Sequence, residues 1–280
     1  MNLAIDMVNI LYEIKERTIK RIEARKKALP LDRIMEMAHS AQSGGAIGGF
    51  SSRGVAENFP FERALRLNDD IAFICEIKKA SPSKGIIADD FPYITIAGEY
   101  EAAGAAAISV LTEPYWFKGD DRHLREIANT VSLPLLRKDF IVDGYMIYEA
   151  KILGASAVLL ICSILECETL AEYIDVAHGL GLSALVEVHD EIELNTALRA
   201  GARIIGANNR DLRTFEVDMG NSIRLRKLAP KDIIFVSESG IRTAEDIRTL
   251  RRHGVDAVLI GETLMRSPDK KAALAELRGG

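Results

Sequence analysis

Glu76 and Lys78 bring a carboxylate and an ammonium within two positions of each other, inside FICEIKK, an apolar run that predicts a strand. A strand repeats every two residues, so both side chains share one face and reach the same environment. Such a pair suits proton transfer, with one group as acceptor and the other as donor. Polar residues close other apolar runs in the same way. LPLLRKDF leads to Lys138, SALVEV carries Glu187, IIGANN gives Asn208 and Asn209, and IFVSES gives Glu238 and Ser239. If these runs converge, two lysines and three glutamates surround one opening. A self-satisfying ring of salt bridges is the alternative for any one of them, since ion-pair networks also perturb charges. Taken together they favour chemistry, because a purely structural mouth is filled at lower cost with apolar groups.

The loop after the first run, KASPSKGIIADDF, adds hydroxyls at Ser81 and Ser83, a rigid Pro82 and a hinge-capable Gly85. SESGI and LIGETL each bring a glycine to the end of an apolar run, Gly240 and Gly261, and Thr243 and Ala244 open the helix after the first of them. Exposed backbone amides and a helix N-terminus in these turns predict a phosphate cradle.

A repeated unit must position these residues: a helical segment ends in a small-residue turn and leads into a short aliphatic strand. It reads AAGAAAISVL, LGASAVLLIC, GLGLSALVEV, AGARIIGAN and HGVDAVLIG. Glycine suits the left-handed position that ends a helix, and a continuous apolar run suits a parallel strand covered on both faces. Counting such runs predicts eight strands, starting near Ile71, Ala105, Pro134, Ala155, Leu182, Arg203, Asp232 and Asp256. Eight β-then-α units predict an α/β fold, a closed (β/α)8 TIM barrel, with its chemistry where strands open into βα loops. An open doubly wound sheet is the structural rival. Residues 1–70 precede the repeat and are expected to form a helical extension packed on the barrel of residues 71–280. Ile10, Ile14, Ile19 and Ile22 fall at helical spacing and predict an amphipathic helix from about Ile5 to Leu29, stopped by Pro30. A second helix is expected over Asp32 to Ser40, followed by a glycine-rich loop, SGGAIGGFSSRG.

Composition bounds what such a fold can serve. With 48% hydrophobic and 28% charged residues the chain has material for a large core and a solvated surface, so it is not disordered. A formal net charge of -5 leaves no domain-wide basic field, which argues against nucleic acid as a partner but allows local lysines to hold a small anion. Cys75, Cys162 and Cys167 are odd in number and lack metal-ligand spacing, so they read as buried thiols in a reducing compartment. No signal segment or membrane span is apparent, and a cytoplasmic location is expected.

These motifs carry a resemblance. FICEIKKASPSKG resembles the signature of the indole-3-glycerol phosphate synthase family, and LPLLRKDFIVD, LVEVHD, IGANNRDL, VSESGI and IGETLM resemble its later motifs in the right order, covering about Phe59 to Arg266. The resemblance implies a carbon–carbon lyase of tryptophan biosynthesis. Its substrate would be 1-(2-carboxyphenylamino)-1-deoxyribulose 5-phosphate, a phosphorylated small molecule, and its products indole-3-glycerol phosphate, carbon dioxide and water. It implies that Lys138 is the general acid and Glu187 the base. It places Glu76, Lys78, Asn208, Arg210 and Glu238 where they line the site and organise substrate or water. Ser81, Ser239, Gly240, Gly261 and Glu262 fall on the phosphate side. Phe117 and Phe140 are candidate walls for the aromatic ring, with ordinary packing equally open. Glu262 departs from expectation, since a carboxylate is a poorer neighbour for phosphate than a hydroxyl unless it turns outward.

The chemistry needs such a set. Ring closure requires a proton at the developing alkoxide, a positive charge near the departing carboxylate, and later an acid at the hydroxyl and a base for the ring proton. No metal or organic cofactor is expected, because the cationic intermediate is its own electron sink. A second ammonium about 6 Å away, at an effective dielectric near 20, would lower a lysine pKa by roughly two units, while adjacent glutamates push the other way. Two rivals stand beside this reading. A phosphoribosyl isomerase barrel would share the glycine turns but has no use for Lys78 and Lys138 together, and a non-catalytic barrel could bind a phosphorylated metabolite as a sensor. No fused segment is seen, so the chain is expected to act alone, as a monomer with an oligomer left open and without membrane contact.

Overall fold

The computed structural model describes residues 3–42, 59–67, 70–211, 214 and 216–279. Eight parallel strands close on themselves: β1 Ala72–Ile77, β2 Ala107–Leu111, β3 Leu135–Lys138, β4 Ala157–Ile161, β5 Ser183–Val188, β6 Ile204–Asn208, β7 Ile234–Glu238 and β8 Ala257–Ile260. Each pairs with the next, and β8 returns to β1 with Ala72 beside Ala257 and Cys75 beside Ile260. Each strand begins one or two residues after the position expected from sequence. The closed ring rules out the open sheet.

Strand parity sorts the residues. Ala72 and Ile74 of β1, Ala107 of β2, Leu136 of β3, Leu159 of β4, Leu185 of β5, Ile204 of β6, Val236 of β7 and Leu259 of β8 form one buried cluster, the barrel interior. The alternate residues face outward into a second cluster shared with the helices, α4 Tyr93–Ala102, α5 Asp121–Ala128, α6 Tyr145–Ile152, α7 Cys167–Gly179, α8 Glu191–Arg199, α9 Gly220–Leu228, α10 Ala244–Arg252, α11 Glu262–Arg266 and α12 Lys270–Arg278. Strands covered on both sides read as unbroken apolar runs, which is why they were legible.

Three helices precede the barrel: α1 Leu3–Ala28, α2 Leu31–Gln42 and α3 Pro60–Arg66. The first two fall close to expectation, with Pro30 between them; the glycine-rich segment 43–54 lies outside the described residues. Pro60 opens α3, the helical position where its missing N–H costs nothing. Phe61 and Leu65 of α3, both buried, join the interior cluster from the end where the strands begin, and the Glu62 amide donates to Ser183 Oγ at 3.3 Å. Burying Phe61 is worth about 1.5–3 kcal/mol. One end of the barrel is thus plugged by apolar groups, which leaves the other end for chemistry.

The first helix is tied on through charge. Arg21 of α1 donates to both oxygens of Asp139, at 3.0 and 2.9 Å, and Arg25 pairs with Asp121 at 2.6 Å and Glu149 at 2.9 Å. Arg137, fully buried on the outward parity of β3, bonds to Asp121 at 3.0 Å and to the Met146 carbonyl at 2.8 Å. Three arginines and three carboxylates make one network, the arrangement in which buried charge is tolerated. Among the cysteines, Cys75 and Cys162 are buried free thiols, and burial pushes both up to about 12. Cys167 departs from the expectation: it opens α7 and is only half-buried.

Candidate active site

Continuing the inward parity past the apolar layers reaches polar residues at the C-terminal mouth. Ile74 is followed by Glu76 and Lys78, Leu136 by Lys138, Leu185 by Glu187, Val236 by Glu238 and Leu259 by Gly261; Asn208 closes β6. A cavity of about 470 Å³ opens there. Its walls include Glu76, Lys78, Ser81, Phe117, Lys138, Phe140, Glu187, Asn208, Arg210, Glu238, Ser239, Gly240, Gly261 and Glu262, so the structure gathers these residues around one space, while Asn209 lies outside it and donates to Ser237 Oγ at 3.0 Å.

Lys138 stands among the carboxylates, with its Nζ 3.0 Å from Glu187 Oε2 and 3.2 Å from Glu238 Oε2. Burial works against its charge, but Glu187, Glu238 and Glu76 outweigh burial and hold the ammonium above the ordinary lysine value. Of the two opposing effects the sequence left open, the adjacent glutamates prevail over the second ammonium. Lys78 is paired with Glu76 at 2.5 Å, and the carboxylates around Lys138 dominate. Burial raises Glu187, but Lys138 and His189 more than compensate and keep it well below the ordinary carboxylate range. Glu238 goes the other way: burial, the largest cause, pushes it up to about 7, helped by Glu187 and Glu76 and opposed by Lys138. One carboxylate is therefore ready to accept a proton while its neighbour titrates near neutrality, the separation that lets similar groups take different roles.

Neighbours fix these groups. Asn208 Nδ2 donates to Glu187 Oε1 at 3.2 Å, and its Oδ1 accepts from the Arg210 amide at 3.0 Å. A β-carbon at Gly261 would collide with Glu76 Oε1, so glycine is what lets the Glu76 and Lys78 pair lie against β8. Glu113 holds the next loop: its carboxylate accepts from the Tyr115, Trp116 and Phe117 amides at 2.8, 2.8 and 2.9 Å. That sets Phe117 against Phe140, ring centroids 6.0 Å apart, as a tilted aromatic pair in the cavity wall.

On the β7 and β8 side, Ser239 and Gly240 both take positive φ, 70° and 87°, in a tight turn beside the cavity. The helix opened by Thr243 is capped by its own side chains. Asp246 accepts from the Arg242 and Thr243 amides, each at 2.9 Å, and Thr243 Oγ1 accepts from the Asp246 amide at 3.2 Å. This capping box engages the Arg242, Thr243 and Asp246 amides, and neither Thr243 nor Ala244 lines the cavity, whose wall on this side carries the Ser239–Gly240 turn and the start of α11 at Gly261. Glu262 lines the cavity but turns along its own helix, where its Oε1 accepts from Arg266 Nε at 3.0 Å.

Sequence reasoning missed three contributors. Ile10, Leu11 and Ile14 of α1 lie in the cavity wall; the helical spacing was visible, its destination was not. Arg242 lines the cavity from within SESGIR. His189 follows Glu187 by two in VEVHD, and its Nε2 comes within 3.4 Å of Glu187 Oε1. The period-two rule applied to Glu76 and Lys78 would have found it.

The sequence matches the family described as indole-3-glycerol phosphate synthase over residues 13–277. The chain belongs to the indole-3-glycerol phosphate synthase family. A relative of that name from Ruminiclostridium cellulolyticum is 64% identical over 221 residues, covering 79% of this chain and 85% of the relative. Another, from Lachnoclostridium phytofermentans, is 50% identical over 269 residues, covering 96% and 98%. The second match extends indole-3-glycerol phosphate synthase similarity along nearly the whole chain. Among solved structures, 3-hexulose-6-phosphate synthase from Salmonella typhimurium superposes with a TM-score of 0.62 at 13% identity, covering 75% of this chain and 97% of that one, a likeness of fold alone.

Proposed function

We infer that this chain converts 1-(2-carboxyphenylamino)-1-deoxyribulose 5-phosphate to indole-3-glycerol phosphate, releasing carbon dioxide and water, and so acts as a carboxy-lyase in tryptophan biosynthesis. The observation that carries the reading is the pair Lys138 and Glu187, a charged donor and an ionised acceptor 3.0 Å apart in a cavity that holds a second lysine. Ring closure turns the ketone oxygen into an alkoxide, and Lys138 supplies its proton. Lys78 meets the aromatic carboxylate and holds it until it leaves as carbon dioxide, with Glu76 fixing the ammonium from 2.5 Å away. Glu187 then takes a proton from the ring methylene while the hydroxyl departs as water, and Asn208 keeps its carboxylate oriented.

Substrate binding divides along the cavity. Phe117 and Phe140 flank the aromatic ring, with Ile10, Leu11 and Ile14 closing the same end. Ser81, Ser239, Gly240, Gly261 and Arg210 receive the phosphate end, and Glu262 contributes through its backbone because its carboxylate is engaged by Arg266. Glu238 organises Lys138. Residues 71–280 serve as the catalytic barrel and residues 1–70 as its packed extension, working as a monomer in the cytoplasm. No helix among the described residues is long and apolar enough to cross a membrane.

The test is direct. Purified protein with the carboxyphenylamino substrate and no added metal should develop indole fluorescence. Folded protein and authentic substrate without that signal would sink the reading.

A further inference from the structure

The proposed reaction has a proton balance that the Lys138 and Glu187 pair does not close. The ketone oxygen leaves as water and so takes two protons. The ring methylene returns one, and the carboxylate, ionised at neutral pH, leaves as carbon dioxide without one. Each turnover therefore consumes one proton from solution. Glu187 can hand the methylene proton back to Lys138 across their 3.0 Å bond, but the second proton must come from elsewhere. In the proposed reaction substrate fills the cavity in front of Lys138, which Ile10, Leu11 and Ile14 border.

Behind Glu187 stands His189. Its Nε2 is buried 3.4 Å from Glu187 Oε1 and makes no hydrogen bond of good geometry among the described residues. On the other side of the ring, Nδ1 lies 2.9 Å from Glu193 Oε2, an oxygen that also accepts from the His189 amide at 2.8 Å. Glu193 is held in turn, since its amide donates to Asp190 Oδ1 at the cap of α8, 2.9 Å away. Imidazole clamped in this way sets its Nε2 beside the oxygen of Glu187 that Lys138 does not use, where a small ring rotation aligns the N–H with it. We propose that His189 supplies the net proton of each turnover. After ring closure its imidazolium passes the Nε2 proton to Glu187 Oε1, and the carboxyl turns and gives that same proton to the neutral Lys138 amine, which protonates the departing hydroxyl. Glu187, ionised again, takes the methylene proton and returns it to Lys138, while the Nδ1–H stays on the ring, bonded to Glu193. The neutral ring, whose side chain is 15% exposed, regains its proton from water between turnovers.

The charges agree with that direction. Burial opposes protonation of His189, but Glu187 and Glu193 raise it to about 10, so it is charged at neutral pH. Lys138 is held higher still, so a proton moves downhill from imidazolium to free amine, while Glu187 stays ionised at rest. His189 acts through Glu187 and does not touch the reacting atoms.

The proposal rests on the lyase reading, and one experiment separates the two. Wild-type and His189→Gln proteins, matched for thermal melting, are mixed in excess with substrate, and carbon dioxide release and indole fluorescence are followed through the first turnover. Lys138 starts charged in both, so carbon dioxide release should be alike, while indole formation in the variant should slow about tenfold and recover with added imidazole. Equal slowing of both signals without imidazole rescue would show a structural role and overturn the proposal, as would slowing of neither. Should His189→Gln melt early, His189→Asn takes its place. Wild-type protein that forms no indole refutes the lyase reading instead.

Discussion

Lys138 on β3 and Glu187 on β5 meet across the barrel mouth, Nζ to Oε2 at 3.0 Å, with β4 lying between their strands. Neither side chain can find the other locally; the closed barrel brings them together. Each keeps the other charged, since Glu187 raises Lys138 and Lys138 lowers Glu187, so donor and acceptor are ready before substrate arrives. Lys138→Ala should therefore cut kcat by about a hundredfold to ten-thousandfold while KM changes little, the signature of a group used only in the transition state. Steady-state indole fluorescence measures both constants. A large rise in KM with kcat preserved would assign Lys138 to binding.

Gly240 should give the opposite split. Its φ of 87° is a region that L side chains enter at a cost of about 1–2 kcal/mol, and a β-carbon there would strike the Val217 side chain. Gly240→Val should displace the turn that receives the phosphate end, raising KM about tenfold, or ~1.4 kcal/mol, with kcat close to wild type. Inorganic phosphate competing with substrate gives a second reading, because its inhibition should weaken in parallel.

What the sequence made legible followed from strand parity. The barrel strands are apolar on both faces, so their positions were plain, and the polar residues closing them marked the mouth. Glu76, Lys78, Lys138, Glu187 and Glu238 all come from that single rule. The role of α1 was not legible, because Ile10 and Ile14 repeat as any amphipathic helix would and only tertiary structure sends them to the cavity. Nor was α3, whose seven residues are too few to show a period, although Pro60 was a usable start signal. Thr243 and Asp246 carried the spacing of a capping box, which marks where that helix starts but not that Thr243 and Ala244 stand outside the cavity wall.

Glu238 ties stability to pH. Its carboxyl is pushed up to about 7 in the native chain, above an ordinary 4.5, so the folded protein binds a proton that the unfolded chain has lost between those values. This contribution is complete below 4.5 and disappears as pH rises through 7. Glu238→Gln cannot ionise and should escape the loss. Urea unfolding at pH 5 and pH 8 should show wild type falling relative to the variant by on the order of 3 kcal/mol. An unchanged difference at the two pH values would show that the group titrates normally.

Asp139 works with the opposite sign. Burial raises its pKa, but Arg21 and Arg137 dominate and hold it below the ordinary value of 3.8. Its pairing therefore stabilises the fold above that value, and the contribution fades as pH falls through the native pKa. Arg21→Met removes the α1 partner and leaves a buried carboxylate on Arg137 at 3.5 Å and Thr112 at 2.8 Å. The loss should be about 3 kcal/mol at pH 7, reduced by what Arg137 retains. It should shrink toward pH 3, where Asp139 can take a proton instead of keeping an unpaired charge. Urea unfolding of wild type and variant across that range measures both effects, and a penalty independent of pH would assign Arg21 to packing of its aliphatic stem alone.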